Sequence, residues 1–284
     1  MAAEILIGYV ERLPKDIRSN KEQIKRLLEM IFFHMIDIDQ EIEEEWKKPA
    51  EGFNEDFEED PDFEVVRFGM NSIDRLISSV GDSEILPTLS ASVQTMFQQA
   101  DWRYHHAALM ALSQVIFKLG FFTIYIKKVG EYIEDIEEIK PIVQVVLNFI
   151  QSPNPKLRYA VCHCIGQISD DMQPKFQEVF TEPVLTLLIQ TLFDPIPRVQ
   201  SHAAAAITNF VEGMDKDVLK NYITPLMQKC FELAQNSISI CKENAISAIA
   251  ATSEAAGELF RPYFKEAVPV LFDMMKKHTT KEYK

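Results

Sequence analysis

Glycine is scarce, 9 in 284 residues, and the glycine-dependent patterns that cradle phosphates or present a nucleophile, GxxxxGK[ST], GxGxxG and GxSxG, are absent. So is HExxH, the two-histidine zinc motif. Cysteine is equally sparse. Cys162, Cys164, Cys230 and Cys241 form no CxxC pair, which fits reduced thiols packed as small apolar residues better than disulfides or zinc. His105 and His106 are neighbours, so on a helix they diverge by about 100° and cannot share one metal ion. Cys162-His163-Cys164 puts its thiols two residues apart, on different helix faces. No metal, no cofactor and no catalytic site are expected. Long apolar runs are missing, and stretches such as Ile31-Phe32-Phe33 are far too short to cross a bilayer. Met1 precedes Ala-Ala-Glu rather than a basic, then apolar, leader, so an intracellular chain is expected. Cations are outnumbered, 29 Lys and Arg against 43 Asp and Glu, which leaves no broad basic surface for nucleic acid.

What the chain does have is a beat. Pro87, Pro141, Pro183, Pro225 and Pro269 recur with gaps of 54, 42, 42 and 44 residues, each beside an apolar run of helical period. Aligning Ala107-Ala108 with Ala160-Val161, Ala203-Ala204 and Ala245-Ile246 gives steps of 53, 42 and 42. Two helices per unit of that length, the first (A) with proline near its start and the second (B) without, predict an all-α solenoid of HEAT or armadillo type. The expected helices span 2–12, 20–38, 84–99, 102–118, 132–151, 155–170, 174–193, 196–212, 216–235, 238–256 and 258–277, with Asn20 as a cap, and helical spacing also runs through Val65, Val66, Met70, Ile73 and Ile77. About five repeats plus terminal half-repeats make one continuous array over 1–284. Neither end shows the polar cap that solenoids usually carry, so a piece of a longer, monomeric protein is expected. An extra stretch near 119–130 accounts for the 53-residue step.

The net charge of −14 is concentrated: residues 37–64 hold 14 Asp and Glu against 2 Lys. Helical period vanishes there, from about Asp39 to Glu64, which predicts an acidic loop between the A and B helices of one repeat. A basic partner suits such a segment.

One face of the B helices is polar in register. Ala160, Val161, Cys164, Ile165 and Ile168 are expected to be buried, with His163, Gln167, Asp170 and Asp171 opposite. In the next repeat Ala203, Ala206, Ile207 and Phe210 are core, and Ala205, Asn209 and Glu212 face out. In the third, Ala245, Ala248 and Ile249 are core, and Ser247, Ala251 and Glu254 face out. Asp170, Glu212 and Glu254 thus hold equivalent positions. This is either a solvated set of helix ends or a ladder of acceptors for the cations of an extended peptide, with Gln167 and Asn209 hydrogen-bonding its backbone. Asp194, Arg198, Lys156 and Arg158 at turns, and Trp102, Tyr104 and Tyr159 near B-helix starts, are expected to tie units together.

Three blocks carry a resemblance to a known family: Asp101-Trp-Arg-Tyr-His-His-Ala-Ala-Leu-Met-Ala-Leu-Ser113, Leu157-Arg-Tyr-Ala-Val-Cys-His-Cys-Ile-Gly-Gln-Ile168 with Pro174-Lys-Phe-Gln177, and Arg198-Val-Gln-Ser-His-Ala-Ala-Ala-Ala-Ile-Thr-Asn-Phe210. They resemble the importin-beta (karyopherin-beta) family, most of all its importin beta-3 or importin 5 branch. The resemblance implies a nuclear transport receptor found in cytoplasm, nucleus and nuclear pore. It also implies basic cargo bound through nuclear localisation signals, phenylalanine-glycine nucleoporins, and cargo release to the Ran GTPase. It places Gln167, Asp171, Asn209, Glu212 and Glu254 among signal-binding positions. It likens residues 39–64, with Glu55, Asp56, Glu58, Glu59, Asp60 and Asp62, to an acidic loop active in Ran binding and cargo release. Ile116-Phe117-Lys118 stands where the family has Gly-Glu, so one acidic rung is missing. A HEAT scaffold for another assembly is the alternative that periodicity leaves open.

Overall fold

The computed structural model describes residues 2–38, 46, 61–127 and 139–281, and the described residues contain helices and turns but no strand. Cα packing divides the described residues into two compact units, one of residues up to 164 and the other of residues from 165 onward.

The first unit holds α1 (Ala2–Arg12), α2 (Pro14–Arg18), α3 (Lys21–Ile36), α4 (Pro61–Val80), α5 (Asp82–Phe97), α6 (Trp102–Lys127), α7 (Lys140–Asn148) and the start of α8 (Pro155–Asp171). A 3₁₀ turn, Phe149–Gln151, extends α7. Asn20 caps α3 as its side chain predicts, Oδ1 accepting from the Gln23 amide at 3.1 Å. The α3 stripe buries Ile24, Leu28, Ile31 and Met35 completely, while Leu27 at its edge stays half-exposed. Gly69 of α4 lies against Met35, where a Cβ would come within 2.3 Å of the Met35 side chain. Gly81, at φ +113°, takes a conformation that L side chains rarely adopt and turns the chain from α4 into α5. Arg18 Nε donates to the Val80 carbonyl at 2.7 Å, capping α4 from outside. Arg75 of α4 grips both Glu11 oxygens at 2.7 and 2.9 Å and reaches Glu4, joining α4 to α1.

The second unit holds the rest of α8, then α9 (Lys175–Thr191), α10 (Pro197–Glu212), α11 (Lys216–Leu219), α12 (Ile223–Asn236), α13 (Ser239–Ala256), a 3₁₀ segment Gly257–Tyr263 and α14 (Phe264–Lys281). The predicted core stripes are buried: Ala160, Val161, Cys164, Ile165 and Ile168, then Ala203, Ala206, Ile207 and Phe210, then Ala245, Ala248 and Ile249. Adjacent B helices approach closely because small residues line the seam. The Gly166 Cβ position would lie 3.3 Å from the Ala206 Cα. Between α10 and α13, Cys241 Sγ donates to the Pro197 carbonyl at 3.2 Å and Asn244 Nδ2 to Ser201 Oγ at 2.6 Å. Phe176 of α9 meets Phe210 edge-on, ring centroids 5.9 Å apart, joining A helix to B helix.

Several boundaries differ from expectation. Pro87, Pro183 and Pro269 lie inside α5, α9 and α14 rather than near their starts. Acidic residues in the first turn, Asp82 and Glu84 in α5, Glu178 in α9 and Glu266 in α14, support a helix that begins earlier. Each proline then withdraws one backbone hydrogen bond from an established helix. The helix expected over 216–235 is two, because Asp215 caps α11 through Oδ1 bonds from the Asp217 and Val218 amides and a short turn precedes α12. The segment expected as helix from 258 begins as 3₁₀ around Pro262. The acidic loop ends sooner, since α4 already starts at Pro61. The stretch near 119–130 is not a separate piece, because α6 continues unbroken to Lys127. Residues 132–138, expected as helix, lie outside the described residues.

Candidate functional site

Within the second unit the ends of three B helices share a chemical signature. Asp170 and Asp171 close α8, Glu212 closes α10, and Glu254 lies in the last turn of α13. All four are exposed, whereas the core stripes beneath them are buried. None of these last turns carries a basic residue. The C-terminal end of a helix carries roughly half a negative charge, so a carboxylate there opposes the macrodipole, at a cost of about 0.3–1 kcal/mol each at an exposed position. Placing an acid at this point three times in succession disfavours folding slightly. It also makes a row of electronegative helix ends suited to cations.

The amides of the ladder are not idle. Gln167 Nε2 donates to Asp171 Oδ1 at 3.0 Å, one helical turn away. Asn209 Nδ2 donates to the Gly166 carbonyl at 3.1 Å, so it ties α10 to α8 as well as facing the polar side. Two residues expected on that side do not belong there. Ala251 is buried at 7 % exposure, because the small-residue seam of α13 is wider than the stripe Ala245, Ala248, Ile249 suggests. His163 is only half-exposed and its Nε2 is buried. Burial lowers its pKa to about 4, so it adds no charge to the face near neutrality.

Of the acidic-loop residues, Glu55, Asp56, Glu58, Glu59 and Asp60 lie outside the described residues. Asp62 is the second residue of α4. Trp46 of the same segment has a defined place in the fold. Trp46 is buried at 6 % exposure, its ring edge-on to Tyr159 with centroids 5.2 Å apart and 5.2 Å from Lys156 Nζ. Lys156 itself is buried at 2 % exposure. It stands near His106, whose pKa falls to about 3 through burial first and the charges of Lys156 and His163 next.

The remaining polar residues secure turns and packing. Asn154 Oδ1 accepts from the Lys156 amide at 2.9 Å and Asp194 Oδ1 from the Ile196 amide at 2.9 Å, the same Asx turn before α8 and α10. Arg158 donates to the Ser152 carbonyl at 2.7 Å. His105 Nε2 contacts the Gln99 carbonyl at 2.8 Å while its neighbour His106 lies against Trp102, so the two rings part as their spacing requires. All four thiols are buried, and burial pushes Cys164 and Cys230 up to about 12, which makes them inert. No cluster of three or more metal-ligating side chains occurs among the described residues, and no helix among them is long and apolar enough to cross a membrane.

Antiparallel helix pairs stacked with B helices seam to seam define an α-solenoid of HEAT repeats. Comparison with known proteins finds relatives of the same architecture. Residues 1–87 match the family model of the importin repeat, and residues 142–172 that of the HEAT repeat. Importin subunit beta-3 of Saccharomyces cerevisiae is 30% identical over 280 residues, covering 97% of this chain and 24% of the relative. The solved structure of the karyopherin Kap121p bound to the extreme C-terminus of the protein phosphatase Cdc14p is 28% identical with a TM-score of 0.81, covering 97% of this chain and 26% of that one. A Kap121p variant in which three acidic residues, each about one repeat from the next, are replaced by lysine is 27% identical with a TM-score of 0.81, covering 97% and 25%. The chain is thus similar to members of the importin-beta, or karyopherin, family, on its importin beta-3 side. It spans about a quarter of the length of these relatives.

Proposed function

We propose that this chain is the signal-binding stretch of a nuclear transport receptor, holding lysine-rich, extended segments of cargo along the B-helix ends of its second unit. The observation that carries the reading is the row formed by Asp170 with Asp171, Glu212 and Glu254. Each is exposed and opposes its own helix dipole, and Asp170, Glu212 and Glu254 hold equivalent positions. The carboxylates accept from lysine ammonium groups, and the oxygens of Gln167 and Asn209 accept from the peptide backbone, so cargo of varied sequence can be read through a few cations. The lysine-substituted acidic triplet of Kap121p has nearly the spacing of this row, to within one residue, which supports the assignment.

In the whole receptor, Glu55, Asp56, Glu58, Glu59, Asp60 and Asp62 take part in RanGTP-coupled release by competing for the same cations. The receptor passes between cytoplasm and nucleus through contacts with phenylalanine-glycine nucleoporins. The test is a titration with a fluorescent lysine-rich localisation peptide beside a scrambled peptide of equal charge, at near-physiological salt. Selective binding of the first is expected; equal binding of both, or of neither, rejects the proposal.

A further inference from the structure

We infer that Gln177 of α9 is a positioning residue that fixes the separation between the carboxylate-bearing ends of α8 and α10; the inference rests on the peptide-binding reading above. Its side chain is 1 % exposed. The amide Nε2 donates to the Ser169 carbonyl at 2.9 Å, and Ser169 immediately precedes Asp170. On its other side the same amide lies against Gly213, which immediately follows Glu212. A Cβ on Gly213 would come within 2.7 Å of Gln177 Cδ and Nε2, and within 2.9 Å of Gln173 Cβ. One side chain from the A layer therefore touches the backbone beside both carboxylates.

The energetics point to geometry rather than to stability. Gln177 Oε1 is buried and accepts no hydrogen bond. Leaving a buried acceptor unsatisfied costs free energy that an apolar side chain of similar volume, such as methionine, would not. A core chosen for stability alone would favour methionine here. What glutamine adds is a directional bond to one particular carbonyl at the end of α8. The Asn209 bond to Gly166 is a second tie across the same pair of helices, one turn further back. Between α10 and α13 the bonds from Cys241 to Pro197 and from Asn244 to Ser201 lie near the helix starts, away from Glu212 and Glu254. The rung between α8 and α10 is thus held at its carboxylate end.

Two readouts on the full chain test this. Spin labels at Asp170→Cys and Glu212→Cys report the distance between the two ends with and without Gln177→Met, and the buried native thiols stay unlabelled. Separately, peptides carrying two lysines at varied spacing report selectivity. The unlabelled parent chain is expected to favour one spacing by about tenfold, the size of one well-placed charge-assisted contact. Gln177→Met is expected to keep or raise the melting temperature, broaden the label distance, and flatten the spacing preference to about twofold. A purely structural residue would shift the melting temperature without changing the preference. If Gln177→Met does not fold, Gly213→Ala presses on the same amide from the other side and replaces it. An unchanged label distance, or a changed distance with the spacing preference intact, overturns the inference. If the unlabelled parent fails to prefer the lysine-rich peptide at all, the peptide-binding reading itself falls and takes this one with it; that result is seen before any variant is made.

Discussion

The side-chain amide of Gln167 donates to the Asp171 carboxylate one turn along α8, at 3.0 Å. Two members of the proposed ladder are therefore partners before any peptide arrives, and one Asp171 oxygen is already directed. Gln167→Ala should free that carboxylate to rotate. We expect binding of a lysine-rich peptide to weaken modestly, by about 0.5–1.5 kcal/mol, the net value of a typical hydrogen bond. Asp171→Asn should weaken it by about 1.5–3 kcal/mol, because a charge-assisted contact is lost. Fluorescence anisotropy separates the two; equal losses would mean that Gln167 acts only through the charge of Asp171.

Glu212→Lys should move stability and binding in opposite directions. A lysine in the last turn of α10 complements the helix dipole, so the variant is expected to be more stable by about 0.3–1 kcal/mol in chemical denaturation. The same change should abolish measurable peptide binding or weaken it by about 2 kcal/mol or more. Lost stability together with unchanged binding would contradict the ladder on both counts.

Peptide binding should fall steeply with salt. The carboxylates are exposed, so their attraction is screened as the Debye length shortens from about 10 Å at 0.1 M to about 3 Å at 1 M. A titration series across that range should show the dissociation constant rising by an order of magnitude or more. A flat profile would assign the affinity to apolar contacts.

His106 and His163 set an acid limit. Burial lowers both, to about 3 and about 4, from an ordinary value of 6.5. Between those values the unfolded chain binds protons that the folded one refuses, so stability is complete above about pH 6.5 and declines as pH falls. The slope is about 1.4 kcal/mol per pH unit for each histidine. His106→Phe should flatten the profile in denaturation experiments between pH 4 and 6.5. An unaltered slope would mean that other groups govern acid unfolding.

Gly166→Ala tests the B-helix seam. The new methyl would meet Ala206 Cα at 3.3 Å, a backbone atom that moves only if α8 and α10 part. A destabilisation of about 1–3 kcal/mol is expected. The Asn209 bond to the Gly166 carbonyl should weaken with it, visible as faster amide exchange along the seam.

The helical repeat was legible because burial leaves a period. Every residue of the stripe Ala160, Val161, Cys164, Ile165 and Ile168 is buried, as the spacing required. Helix starts were harder to read. Proline marks a permitted first turn but also survives deeper in a helix whose early acidic residues favour an earlier start, as in α5, α9 and α14. The outward face was legible for Glu212 and Glu254 but not for Ala251, since alanine carries no polarity to betray its side. Trp46 and Gln177 were out of reach for a different reason. Their roles come from contacts with residues distant in sequence, Tyr159 and Lys156 for the first and Gly213 for the second, and a linear pattern records only neighbours.

The interior prolines of the A helices have a mechanical consequence. In the second unit, α9 and α14 each give up a backbone hydrogen bond at Pro183 and Pro269, whereas α10 and α13 are knitted together by side-chain bonds and have no proline beyond the first turn. The A layer is thus the compliant one and the B layer the stiff one. When the unit bends, strain collects along the A helices, and the B seam behaves as the neutral line of a flexed beam. The row of carboxylates sits at the ends of the stiff layer, so its spacing changes least as the unit flexes.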